Sequence, residues 1–132
     1  MNTAPFSIKC NVYSEDTDVF GIVYHANYLK FFERARTEWL LSHNLTLTSF
    51  VEQNCLFIIK SATLDYCQPL RLHDQFFVSC EPEIKSRATV LFHQTIRAID
   101  NKTVYCHGEI LLVATNERGR AIKMPETIKE LI

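Results

Sequence analysis

Glycine is scarce in this chain: Gly21, Gly108 and Gly119 are the only three among 132 residues. None stands close enough to another to form a G-x-G-x-x-G turn or a G-x-x-x-x-G-K loop, so Rossmann dinucleotide binding and P-loop hydrolysis are excluded. An excess of one charge is also missing. Fourteen Lys and Arg face fifteen Asp and Glu, a net of −1, and the basic residues are scattered. No field therefore steers the protein onto nucleic acid or an anionic membrane. No apolar run approaches the roughly 20 residues that span a bilayer. Residues 1–5 lack the basic-then-apolar order of a signal peptide. The cysteines, Cys10, Cys55, Cys67, Cys80 and Cys106, are odd in number and widely spaced, against a disulfide framework or C-x-x-C chemistry. They read as small apolar side chains, most of them buried, in a reducing compartment. The expected location is the cytoplasm.

What the sequence does contain is a core. With 47% hydrophobic and 22% charged residues, it has the composition of a globular protein. No linker, repeat or low-complexity run divides it, which predicts a single domain over 1–132. One strong helical stripe covers 28–42: Tyr28, Phe31, Phe32, Ala35 and Trp39 recur at 3.6-residue spacing, and Leu29 and Leu40 broaden it. Lys30, Glu33, Arg34, Thr37 and Glu38 face the other way, and Asn27 is a suitable N-cap. So aromatic a helix must lie on something large, and a sheet is expected.

Strands are expected at 7–13, 56–66, 76–85, 89–99 and 103–115, with a terminal helical turn at 125–131. Phe76, Val78, Cys80, Pro82 and Ile84 alternate with polar partners, and Pro82 suggests an edge or a bulge. Asp100-Asn101-Lys102 and Lys85-Ser86-Arg87 supply hairpin turns. One helix followed by antiparallel strands implies an α+β fold with the helix on one sheet face. Such a set cannot cover both faces and both edges alone, so oligomerisation is the physical expectation.

The chemistry concentrates between the first strand and the helix. Glu15, Asp16 and Asp18 lie with Gly21, His25 and Tyr13, Tyr24 and Tyr28 in one short stretch. A carboxylate near a helix N-terminus sits beside unpaired backbone N–H groups. Those groups can polarise a substrate carbonyl while the carboxylate serves as nucleophile or general base. That design suits acyl hydrolysis without a metal or cofactor. The plainer reading makes Asp16 and Asp18 loop and capping residues.

The string Glu-Asp-Thr-Asp-Val-Phe-Gly-Ile-Val-Tyr-His-Ala-Asn-Tyr-Leu-Lys-Phe-Phe-Glu-Arg-Ala-Arg-Thr resembles the signature of the 4-hydroxybenzoyl-CoA thioesterase family, and more closely its YbgC-type acyl-CoA thioesterase branch. The likeness is near-continuous over 13–37. It continues more loosely in Leu64-Asp65-Tyr66, Pro69-Leu70-Arg71, His73-Asp74 and Ile122-Lys123-Met124-Pro125-Glu126. It implies a hotdog fold, with one long central helix wrapped by an antiparallel sheet of about five strands. It also implies hydrolysis of an acyl-CoA to free acid and CoA, no cofactor, and a homodimer or homotetramer with sites between subunits. By the same resemblance Asp18, second of the Asp-x-Asp pair, is the catalytic carboxylate. The backbone N–H at His25 polarises the thioester oxygen, and Gly21 lets the loop turn between them. Tyr24-His25 keeps the Tyr-His of the YbgC branch, whereas Val19-Phe20 is bulkier than in many relatives.

Other residues carry weaker signals. The His25 imidazole could protonate the leaving thiolate or hydrogen-bond to the loop. Tyr13 fits either a bond near Asp18 or the core, and Glu33, Arg34 and Arg36 fit surface or subunit-contact pairing. His93 and His107 lack a third ligand for a metal, and His73-Asp74 reads as turn chemistry. No G-x-S-x-G elbow is present. Lys60, Arg71, Arg87, Arg118, Arg120 and Lys123 are all available to CoA phosphates. The competing functions are a non-catalytic acyl-CoA or acyl-carrier-protein binding module, and a dehydratase, against which the Asp-Thr-Asp loop speaks.

Overall fold

A computed structural model describes residues 4–132; residues 1–3, part of the stretch read above for a leader, lie outside the described residues. Five strands form one antiparallel sheet: β1 (Phe6–Asn11), β2 (Leu56–Tyr66), β3 (Gln75–Ile84), β4 (Thr89–Ala98) and β5 (Val104–Thr115), in the order β1-β3-β4-β5-β2. The long helix α1 (Asn27–Ser42) crosses one face. A short helix α2 (Leu47–Glu52) and a final turn α3 (Glu126–Lys129) complete the elements, with a single 3-10 turn at Ser14–Asp16. This is the expected hotdog arrangement. No helix among the described residues is long and apolar enough to cross a membrane.

The periodicities account for the packing. From α1, Tyr28, Phe31, Phe32, Ala35, Trp39 and Leu40 are buried, and they meet the inward faces of the strands. Phe31 packs edge-on against Phe76 of β3 at 4.9 Å between ring centroids, and Trp39 against Phe92 of β4 at 5.6 Å. Phe32 lies over β5, where Gly108 makes room for it: a Cβ there would stand 2.7 Å from the ring. Gln94, buried beside Gly108 in the ladder, donates its amide to the Phe32 carbonyl at 2.9 Å. The inward residues of β3 are those the alternation predicts, and Pro82 lies past Cys80, where pairing with β1 ends.

Some local expectations are corrected. Ala26, not Asn27, precedes the helix as its cap; Asn27 belongs to the first turn, where its buried side chain reaches Asp16. Leu29 is exposed, one residue round the helix from the buried stripe. β1 ends at Asn11, leaving Tyr13 61% exposed and out of the core. Glu33, Arg34 and Arg36 form no ion pair among the described residues. Glu33 accepts from Thr37, Arg34 lies over the Phe31 ring, and Arg36 donates to Gln94 at 2.9 Å. The cysteines are free; Cys55, Cys80 and Cys106 are buried, Cys10 is half-buried and Cys67 exposed. Burial pushes the thiols of Cys80 and Cys106 up to about 12, which leaves both inert at neutral pH.

Candidate active site

The segment 13–28 is held by two sets of ties. Asp16 supplies the first. Its Oδ2 accepts the Tyr13 N–H at 2.9 Å, its Oδ1 accepts from the Asn27 side chain at 3.0 Å, and its carbonyl accepts the Tyr24 N–H at 2.9 Å. A buried carboxylate with both oxygens occupied thus pins the start of α1 to the end of β1. The structural reading is right for Asp16.

Asp18 sits differently. Thr17 and Val23 bridge, the Asp18 N–H donates to the Ile22 carbonyl at 2.9 Å, and the Gly21 N–H returns to the Asp18 carbonyl at 3.1 Å. The result is a tight hairpin with Gly21 at φ 76°, a left-handed position that a turn followed by a bulge assigns to glycine. Asp18 Oδ1 accepts the Phe20 N–H at 2.8 Å, while Oδ2 has no hydrogen-bond partner among the described residues. Val19 and Phe20 stand at the tip, almost fully exposed.

The second set of ties comes from the chain leaving β2. The Val23 N–H donates to Leu70, Ile22 bridges Arg71, and the Leu72 N–H donates to Gly21. Tyr28, buried in the first turn of α1, accepts the Leu70 N–H at its hydroxyl, 3.2 Å. Tyr66, at the end of β2, donates its hydroxyl to the His25 carbonyl at 2.8 Å. Desolvation raises the Tyr66 phenol, which keeps that proton in place. Local sequence gives no sign of this role, since the partner lies 41 positions away; Leu64-Asp65-Tyr66 enters the sequence reading only through the resemblance.

At the start of α1, the backbone N–H groups of His25 and Ala26 donate to no protein acceptor among the described residues. The His25 ring lies tilted against Tyr24, 4.5 Å between ring centroids, and makes no hydrogen bond to the loop among the described residues. The chain therefore offers a carboxylate with a free oxygen on a rigid hairpin, and free amides at the helix that follows it.

The remaining candidates fall elsewhere. His73 and Asp74 belong to a turn, in which Asp74 Oδ2 accepts the Arg71 N–H at 2.9 Å. His93 contacts Glu83 at 2.7 Å and His107 contacts Thr95 at 3.1 Å; the β4–β5 register sets His93 opposite Glu109 and His107 opposite Thr95, diagonal to each other rather than facing. Lys60, Arg87, Arg118, Arg120 and Lys123 are exposed, and Lys123 pairs with Glu126. Arg71, also exposed, is the one of the six whose backbone pairs with the Asp18 hairpin.

Comparison with known proteins gives this arrangement a context. The model of the thioesterase-like superfamily matches residues 12–132. The acyl-CoA thioesterase YbgC of Haemophilus influenzae is 46% identical over 92 residues, 69% of this chain and 68% of that protein. The acyl-CoA thioester hydrolase YbgC of Escherichia coli is 35% identical over 116 residues, covering 88% and 86%. Among solved structures, a 1,4-dihydroxy-2-naphthoyl-CoA thioesterase from Synechocystis superposes with a TM-score of 0.89 over 96% of this chain and 93% of its own. At 20% identity that likeness speaks for the fold alone.

Proposed function

This chain belongs to the thioesterase-like superfamily and is a thioester hydrolase, and from that premise we propose that it cleaves acyl-CoA at Asp18. The carrying observation is the free Oδ2 of Asp18, fixed on a hairpin whose other carboxylate oxygen and backbone are already satisfied. The substrate carbonyl oxygen takes the unpartnered N–H groups at His25 and Ala26, where the helix N-terminus stabilises the developing negative charge. Tyr66 supports them by holding the His25 carbonyl, and so the orientation of that peptide. Asp18 either attacks the carbonyl carbon, giving a mixed anhydride that water opens, or takes a proton from the attacking water. In both routes a C–O bond replaces the C–S bond and the thiolate leaves as CoA after protonation, for which the unengaged His25 imidazole is the candidate donor. Arg71, paired through its backbone with Ile22, is the cation suited to a CoA phosphate. Free thiols throughout the chain suit a reducing compartment such as the cytoplasm.

Asp18→Asn preserves the Phe20 bond at Oδ1 and removes the nucleophile or base. Release of free thiol from acyl-CoA should fall at least about a hundredfold, the range that loss of such a group costs, with an unchanged melting temperature. Near-full turnover in that variant would eliminate the mechanism and favour a binding module. Single-turnover hydrolysis in 18O water then tests the anhydride route: label in Asp18 follows only where water opens an anhydride at the aspartyl carbonyl, whereas general-base attack labels the product acid alone.

A further inference from the structure

The sheet face turned away from α1 holds a groove of about 620 Å³, a volume suited to a small molecule. Strand alternation builds its floor. Phe76, Val78 and Cys80 of β3 are buried toward α1, so Phe77, Ser79 and Glu81 stand on the opposite face. His93, Thr95 and Arg97 of β4 stand beside them by the same rule. Ala4 and Pro5, just before β1, close the Glu81 end, and Ile99 and Asn101 of the β4–β5 turn close the other. No residue of the segment 13–28 lines it.

Charge is unevenly placed along this groove. The register sets Lys9 of β1 opposite Phe77, and Phe77 opposite Arg97. One row across the sheet therefore reads cation, aromatic ring, cation, at about 5 Å from strand to strand. Among the described residues neither Lys9 nor Arg97 enters an ion pair, and neither lies over the Phe77 ring. Other polar groups of the floor are engaged: the Thr95 N–H donates to Ser79 Oγ at 3.0 Å, and His93 contacts Glu83 at 2.7 Å. Glu81 stands four residues along β3 from Phe77, about 13 Å away. A half-buried ring on the polar face of a sheet, flanked by two unpaired cations, fits a ligand that joins a flat ring to negative charge.

We infer that this groove binds a purine nucleoside diphosphate, its base stacked on Phe77 and its phosphates on Arg97 and Lys9. Glu81 repels the phosphates from the far end and so fixes the ligand's direction. Side chains supply the donors here, so the glycine-rich loops that this chain lacks are not needed. The adenine and phosphates of CoA share the same chemistry, and the test separates the two sources. ADP is titrated calorimetrically into the full chain, and one saturable site is expected. Phe77→Ser should weaken that binding at least about tenfold, the loss of one stacked base. Arg97→Gln should weaken it at least about tenfold through loss of a charged hydrogen bond. An unchanged melting transition shows that each variant is folded; should Phe77→Ser fail to fold, Arg97→Gln alone decides. Protein saturated with CoA should bind ADP as tightly as free protein does. Loss of ADP binding in step with CoA occupancy assigns the signal to a CoA site and overturns the inference. So does the absence of saturable ADP binding up to millimolar concentration, and so does parent-like affinity in the folded variants.

Discussion

Asp16 and Asp18 are chemically identical and only two positions apart, yet their surroundings divide them. Asp16 is 4% exposed and gives both oxygens to Tyr13 and Asn27, whereas Asp18 keeps one oxygen without a protein partner. Nothing in the residue types foretold which would be which; the resemblance chose Asp18, and the hydrogen bonds show that both Asp16 oxygens are already engaged. Removing Asp16 strands two donors at the junction of β1 and α1, each costing about 1–3 kcal/mol when left without an acceptor in a buried position. Asp16→Ala should therefore lose roughly 2–4 kcal/mol of stability, read as a fall in the chemical-denaturation midpoint. Asp18→Asn should leave that midpoint in place. Equal midpoints for the two variants would refute the division.

Elements were legible where a face had one job. The α1 stripe and the β3 alternation report burial on a single side, and 56–66 matches β2 end to end. Two features were not legible. α2 is six residues long, too short to show a period, although Thr46 caps it by accepting the Ser49 N–H at 3.1 Å. The sheet order, with β2 beyond β5, depends on pairings such as Leu64 with Gly108 that local pattern does not encode. Gly108 illustrates the same limit. By sequence it is only one of three glycines; in the sheet it is the place where Phe32, fully buried, meets β5. A methyl at 2.7 Å from that ring must displace it, and with it α1 and the free amides at its start. Gly108→Ala should cost about 1–3 kcal/mol, the usual range for overfilling a packed core, and reduce turnover along with stability. Full stability in a calorimetric scan would show that the helix sits on β5 more loosely than this contact requires.

At the scale of the molecule, β2 is the unresolved economy of the fold. It is eleven residues long, among the described residues it pairs only with β5, and Ile58 and Ile59 are each 46% exposed. A long apolar edge with unpaired backbone groups recruits another strand. A groove lined by Ile59 and Ala62 also runs along this strand, and Val19 and Phe20 project uncovered from the Asp18 hairpin. One chain thus offers the proposed carboxylate and amides but leaves their surroundings open to water, which weakens the electrostatics that the proposed reaction needs. A second copy laid edge to edge along β2 would close both gaps, so the active species should be a dimer or larger. Light scattering at assay concentration should give at least twice the 15.3 kDa chain mass. Ile58→Glu, which puts a charge on the exposed edge, should yield monomers that have lost most thioester hydrolysis while retaining their secondary structure. A monomer that hydrolyses acyl-CoA as fast as the parent would show that a single chain excludes enough water by itself.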